Sequence, residues 1–534
     1  MSRMQRRSDE KASGGPSELI IKAASASETM KDEARLARAG MMLERARWAA
    51  ASFARLDRES TLRIAKAAAD AGFAKAQHYA EWAVKETGFG VVEHKKIKNE
   101  LVSRGIYDYY RDEPLVGLKI DAERKIVELA RPAGVVFALT PSTNPVSTVF
   151  FKIMIALLSR NAIIISPHPM AKACCADAAR CMADAAAAAG APDGAVQVID
   201  EPSIPLITAL MADPRTDVIL ATGGSPMVRA AYSSGNPAIG VGPSNVPVLV
   251  DATADLAKAA KRIVASKSFD NSVLCTNESV LIAEAAIADK LLRHMQSEGA
   301  YLCSEEETER LRAYLFPGGK FNLQALGRDA GTIAGDAGIR APAKTRILLA
   351  PFDLPVPEEV FAREKLCPVL GFLKVPNAQR GLEAARALLR YSGGGHSAAI
   401  HSKDQRTILA FSMAVTVLRV VVNAPCSQGA AGFDTNLAPT MTIGTGFFGR
   451  SSIGENVGPQ HLVNWTRIAY NKEASESFGD YTNLEPWDVQ APDGTEGLEM
   501  PAPRLGMADD DLGEMREEIR QVIIEELRSL FMGS

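Results

Sequence analysis

One cysteine lies in the run Asp270-Asn271-Ser272-Val273-Leu274-Cys275-Thr276-Asn277-Glu278, among small polar residues and just before the β-type segment Ser279 to Ile282. A cysteine kept for packing usually sits inside an apolar periodic segment. A thiol in a polar turn is open to substrate, and neighbouring backbone N–H groups favour its thiolate. The chemistry indicated is nucleophilic attack on an electrophilic carbon. The other cysteines are Cys174, Cys175, Cys181, Cys303, Cys367 and Cys426, which makes seven with no paired zinc-type spacing. This usage predicts a reduced, cytoplasmic chain with no structural metal. Cys174, Cys175 and Cys181 fall in an Ala-rich helix and read as small buried thiols.

A second pattern suits phosphate. Asp217 to Pro226 reads as a strand, the turn Thr222-Gly223-Gly224, and a helix start with Ser225 as N-cap and Pro226 at the first helical position. Free N–H groups at such a start can hold a dinucleotide pyrophosphate. The run is not a G-x-G-x-x-G fingerprint, and the same residues also suit a plain strand-to-helix turn. Ile163 to Pro169 ends a strand in Ser166-Pro167-His168-Pro169. Open α/β sheets bind ligands at that edge. His168 reads either as a contact to an adenosine ribose or as a surface turn residue.

The elements that must position these residues follow from the hydrophobic pattern. A chain of 534 residues exceeds one compact core and predicts two or three domains. Residues 1–27 read as a disordered leader without a secretory signal, and Glu28 to Gly105 as helices. Lys119 to Pro132 alternates like a half-exposed strand pair. From Gly134 a βαβ texture begins: strands Gly134–Leu139, Ala162–Ser166, Ala195–Ile199 and Asp217–Ala221, with helices Val149–Leu158, Ala171–Ala189 and Ile204–Ala212. Such alternation predicts a doubly wound parallel sheet. After Val246 to Asp251 the pattern restarts with a helix over Ala254 to Ser266. The expected division is a cofactor domain over 28–116 and 132–248 and a catalytic α/β domain over 249–445. The net charge of -4 predicts no general attraction to nucleic acid or anionic membrane, and no window of about 18 apolar residues predicts a membrane span.

Thr140-Pro141-Ser142-Thr143-Asn144-Pro145, Ser166-Pro167-His168-Pro169, Thr222-Gly223-Gly224, the Cys275 run, Glu364-Lys365-Leu366-Cys367-Pro368-Val369, Gly394-Gly395-His396-Ser397, Val422-Asn423-Ala424-Pro425 and Gly454 to Pro459 occur in this order. Together they resemble the aldehyde dehydrogenase superfamily, and more narrowly its coenzyme A-acylating branch, over roughly residues 30–470. The resemblance implies an α/β fold with a Rossmann-like cofactor domain, a catalytic α/β domain and a small β extension (117–131 and 456–470) that pairs subunits into a dimer or tetramer. It implies a Cys275 nucleophile and an oxyanion held by the Cys275 N–H together with either Asn144 or Thr143. Glu364 matches the acid that binds the nicotinamide ribose, and His396 a histidine near the active site. Ser166, His168, Pro169, Thr222, Gly223, Gly224, Ser225, Gly242 and Pro368 fall at the implied cofactor positions. NAD or NADP is the implied cofactor, because the usual ribose-binding position reads as Ala171.

One absence directs the chemistry. Hydrolytic relatives carry Glu-Leu-Gly-Gly, whose Glu activates water; here the matching stretch is Gly240-Val241-Gly242-Pro243-Ser244-Asn245, with Gly240 at the Glu position. Without that base, a thiol such as coenzyme A is the better acceptor of an acyl group. The implied reaction is oxidation of a short aldehyde to acyl-CoA. A hydrolytic aldehyde dehydrogenase and a non-catalytic scaffold are the alternatives. Residues 486–508 read as a linker and 509–534 as an amphipathic helix, with Leu512, Met515, Ile519, Ile523, Leu527 and Leu530 in one stripe. That stripe folds back on the body or docks on a partner, in the manner of the encapsulation peptides of bacterial microcompartments. A place inside such a shell is therefore expected.

Overall fold

In the computed structural model, residues 16–487 are described, with side chains from residue 34 onward. The stripe at 509–534 and most of the expected linker lie outside these residues. A first compact unit ends at Asp480, and a second begins at Tyr481. The first helix, Pro16–Phe53, takes in residues 16–27, which corrects that part of the expected leader; residues 1–15 lie outside the described residues. Ala, Glu and Lys in that stretch are strong helix formers.

Two parallel sheets dominate the first unit. The smaller has five strands in the order Val196–Val198, Ala162–Ser166, Val135–Leu139, Val218–Thr222 and Ala238–Val241. The chain moves outward in one direction from Val135–Leu139, then crosses back to Val218–Thr222. The strand order therefore reverses between those two strands, and a crevice opens beyond their carboxyl ends. The helix Pro145–Leu158 is buried at every residue, and its one charged group, Lys152 Nζ, donates to the carbonyls of Leu139 (2.6 Å) and Leu220 (2.8 Å). It starts four residues before the expected Val149. Pro145 suits the first helical position, and the polar Ser147 and Thr148 hid the start.

The larger sheet has seven parallel strands, in the order Ala300–Leu302, Ile347–Pro351, Val369–Val375, Glu278–Glu284, Val246–Val250, Gly395–His401 and Val417–Val422. Val246–Val250 thus pairs with Glu278–Glu284, so the second sheet begins ahead of the expected boundary at 248. A third, antiparallel sheet joins Leu118–Asp121, Ile126–Pro132 and Val463–Ala469. Among the described residues, no helix is long and apolar enough to cross a membrane.

Candidate active site

The carboxyl edge of the five-stranded sheet and the amino edge of the seven-stranded sheet face one cavity of about 500 Å³. From the first sheet come the turns 139–144, 166–169 and 222–227. From the second come Val273 to Thr276, just before the strand Glu278–Glu284, and Glu364 and Leu366, just before Val369–Val375. Cys275, Thr143, Asn144, Ser166, His168, Pro169, Thr222, Gly223, Gly224, Ser225, Gly242 and Glu364 all line it. His396 and Pro368 do not. The Pro368 carbonyl accepts the Leu348 N–H within the sheet (2.9 Å). The His396 ring is buried, with Nδ1 3.2 Å from Ser397 Oγ and no partner for Nε2 among the described residues. Burial, then the nearby Arg419 charge, lowers its pKa to about 3, so the ring is neutral.

The carboxyl edge of the five-stranded sheet is built from small residues. The helix Ser225–Tyr232 takes Gly224, not Ser225, as its N-cap. Gly224 has the extended cap conformation (φ −65°, ψ 156°), and its carbonyl accepts the N–H groups of Met227 and Val228. Ser225 and Pro226 therefore enter the helix one position later than expected. Ser166 Oγ and Thr222 Oγ1 are buried and have no hydrogen-bond partner among the described residues. Thr140 Oγ1 on the same wall is a third. Buried hydroxyls seldom stay unpaired, so three orphans on one cavity wall suit a polar ligand such as a nucleotide.

Gly240 is not where an acid could work. A Cβ there would meet Val228 Cγ1 at 2.6 Å and the Tyr232 ring at 2.8 Å, so Gly240 faces the neighbouring helix. Its strand neighbours point to the other side. Val241, with Gly242 and Pro243, forms the cavity wall. This corrects the residue and keeps the consequence, because no carboxylate stands at either position.

Among the lining residues, Glu364 is the one acid. Ser244 Oγ donates to its Oε1 at 2.5 Å and the Ser244 N–H at 3.3 Å. Cys275 is partly exposed on the wall. Desolvation on its other sides, then the Glu364 charge, pushes its pKa up to about 12. The expected backbone N–H effect is present and favours the thiolate, but burial and the Glu364 charge outweigh it. Glu364 faces it, and Arg419 is the cation that acts on it.

The cysteine loop is strained. Asp270, Asn271 and Ser272 have φ of 49°, 51° and 66°, a left-handed run that costs roughly 1 kcal/mol or more per residue. Side chains hold it there. Asn277 Oδ1 accepts from Ser272 Oγ (2.5 Å) and Lys267 Nζ (2.7 Å), and Asn271 Nδ2 donates to the Gly327 carbonyl (3.0 Å). Asp270 is fully buried between Lys95 and Lys98, both on the helix Val92–Glu100. Its Oδ1 accepts the Val91 N–H (2.7 Å), which requires Gly90: a Cβ there would meet that oxygen at 2.1 Å. Lys95 Nζ donates to the Thr143 carbonyl (3.1 Å), and Lys98 Nζ to Asn144 Oδ1 (2.5 Å). Sequence reasoning missed these lysines, because Glu93-His94-Lys95-Lys96 reads as a solvated face. It also missed Arg419, which donates to the carbonyls of Gly395, His396, Gly444 and Gly454 and so fixes the loops behind Cys275.

Residues 22–308 match the family model described as the aldehyde dehydrogenase family. An aldehyde-alcohol dehydrogenase of Clostridium acetobutylicum is 42% identical over 74% of this chain and 46% of its own length. The chain thus spans about half the length of the curated aldehyde-alcohol dehydrogenases it matches. A succinate-semialdehyde dehydrogenase (acetylating) of Clostridium kluyveri is 38% identical over 81% of this chain and 96% of its own. An acetylating aldehyde dehydrogenase from Geobacillus thermoglucosidasius superposes with a TM-score of 0.81 at 38% identity, covering 84% and 99% of the two chains. Two propionaldehyde dehydrogenases are more distant. One, from a Clostridium phytofermentans fucose utilisation microcompartment, has a TM-score of 0.73 at 29% identity over 81% and 97%. The other, from Rhodopseudomonas palustris with bound CoA and an acylated cysteine, gives 0.74 at 28% over 81% and 97%. By its matched residues and the identity of its relatives, the chain belongs to the aldehyde dehydrogenase family.

Proposed function

We propose that this chain oxidises a short-chain aldehyde to its acyl-CoA with NAD(P)+ and coenzyme A, through an acyl group carried on Cys275. The observation that carries the reading is the cavity itself. It joins a nucleotide-type edge to a cysteine, and its described wall holds no acid besides Glu364. The Cys275 sulfur, its proton passing to solvent, forms a bond to the aldehyde carbon, and the carbonyl oxygen becomes an oxyanion. The Cys275 N–H and a side chain from Thr143 or Asn144 stabilise that charge, each such donor being worth roughly 3 kcal/mol. As the oxyanion collapses to a thioester the carbon loses a hydride, and NAD(P)+ would supply the oxidant that takes it. Ser166, Thr222 and the Gly224 turn would hold the nucleotide, Glu364 would accept its ribose hydroxyls, and the His168 to Pro169 turn would flank it.

With no acid at Val241 or Gly242, and with Glu364 held by Ser244 and assigned to the ribose, no carboxylate is left to activate water beside the thioester. The coenzyme A thiol needs less help: its sulfur bonds to the acyl carbon as the Cys275 bond breaks, and its proton passes to solvent. The acetylating relatives and the acylated, CoA-bound neighbour support this order. Product analysis with and without coenzyme A tests it. Acyl-CoA formed only with coenzyme A is expected; free acid at full rate without it would make the chain a hydrolytic enzyme.

The finer reading places this enzyme as a dimer or tetramer, paired through the three-stranded sheet, in the lumen of a bacterial microcompartment. Its 509–534 stripe would dock on the shell. A microcompartment origin of one neighbour and the spacing of the stripe support this. Deletion of residues 509–534 should leave turnover intact and abolish co-purification with shell proteins.

A further inference from the structure

The hydrogen bonds around Asn144 decide which side chain meets the oxyanion. The Asn144 amide has two N–H bonds and one carbonyl oxygen to place. Nδ2 donates to the Val273 carbonyl at 3.0 Å and to Thr143 Oγ1 at 3.3 Å. Oδ1 accepts Lys98 Nζ at 2.5 Å. Both hydrogens of the amide are therefore spent on the protein. The amide cannot turn over to free one, because its NH₂ would then face a buried ammonium.

Thr143 stands differently. Its Oγ1 receives a hydrogen from Asn144, so its own O–H must point elsewhere, and Thr143 lines the cavity that Cys275 also lines. Its backbone carbonyl is pinned by Lys95 Nζ at 3.1 Å. Lys95 and Lys98 meet on one carboxylate, Asp270, five positions before Cys275. The same Asn144 amide also grips Val273, two positions before it. Donor and nucleophile are thus fastened to one buried ionic centre. Hydrogen bonds that start from an ion polarise the next bond in the chain.

We propose that the Thr143 hydroxyl is the side-chain donor to the oxyanion formed at Cys275, and that Lys98 is a positioning residue acting on it through Asn144. This assignment rests on the acylating reading above. It differs from an Asn144 amide donor, which the bonds to Val273 and Thr143 leave without a hydrogen.

The test is single-turnover hydride transfer, read as the reduced-cofactor burst, in wild type, Thr143→Val, Thr143→Ser, Lys98→Met and the double variant T143V/K98M. Iodoacetamide alkylation of Cys275, which forms no oxyanion, runs alongside. T143V should slow the burst by about 10²-fold or more with little change in aldehyde KM and no loss of alkylation. T143S, which keeps the hydroxyl, should restore most of the burst. K98M should slow it by less, and the double variant should be no slower than T143V, because Lys98 acts through Thr143. A T143V burst at the wild-type rate would overturn the donor. A double variant that shows both losses in full would overturn the positioning role. No burst in the wild type with any short aldehyde would instead remove the acylating reading beneath the proposal.

Discussion

The two sheet edges that meet at the cavity are made in opposite ways. The edge proposed for the cofactor uses a carboxyl end, glycines, a helix start and three unpaired hydroxyls, with almost no charge. The cysteine edge uses an amino end, three left-handed residues and buried ions at Lys95, Lys98 and Asp270. A strand's carboxyl end in a parallel sheet leads into a helix start that binds anions without added devices. An amino end offers no such dipole, so the chain holds the nucleophile with strain and side-chain ionic bonds. One edge presents backbone groups and small side chains, and the other is shaped by buried charge.

The largest expected effect falls on the cysteine edge. Cys275→Ala should lower acyl-CoA formation by about 10⁴-fold or more in steady-state assays, in line with losses on removing a nucleophile. Aldehyde oxidation that survives this change would remove Cys275 from the chemistry. Asp270→Asn should follow. It leaves Lys95 and Lys98 buried without their counter-charge, and urea unfolding should report a loss of about 3–5 kcal/mol. A loss below about 1 kcal/mol would mean that the ionic centre does not hold the loop.

Glu364→Gln probes where the edges touch. Glu364 raises the Cys275 pKa by like charge, so its removal lowers that pKa and increases the thiolate at a given pH. Alkylation of the cofactor-free wild type should rise about tenfold per pH unit with no plateau below pH 10, because the thiol titrates near 12. E364Q should alkylate faster at every pH in that range. A wild-type plateau near pH 8 would contradict the resting thiol described here. The smallest effect belongs to the cofactor edge. Thr222→Val removes a hydroxyl unpaired among the described residues, so stability should move by less than about 1 kcal/mol while the KM for NAD(P)+ rises. A stability loss equal to that of Asp270→Asn would erase the contrast between the edges.

Much of the cofactor edge was legible in the sequence. The strand Ala162–Ser166 and the helix Ile204–Ala212 stand as their periodicity indicates, because local pattern and burial agree there. Cys275 was legible through its polar turn and its place before a strand. Its resting protonation was not, since that depends on desolvation and on Glu364, far away in sequence. The lysine pair was also hidden. A charged residue buried by a partner 172 positions away leaves no local trace in a helix that otherwise reads as solvated. Gly240 and Val241 show a third limit: in a strand, one residue of register decides which side chain faces the cavity. The strand Val246–Val250 carries a similar ambiguity, since an apolar run fits either sheet.

The central claim is an acyl group on Cys275 that waits for a thiol. The direct measurement is intact-protein mass spectrometry after mixing enzyme, NAD(P)+ and a short aldehyde without coenzyme A. An acyl adduct should appear on wild type, persist in water, discharge within the mixing time when coenzyme A is added, and be missing in Cys275→Ala. An adduct that water removes as fast as coenzyme A, or an adduct unchanged in the Ala variant, would contradict it.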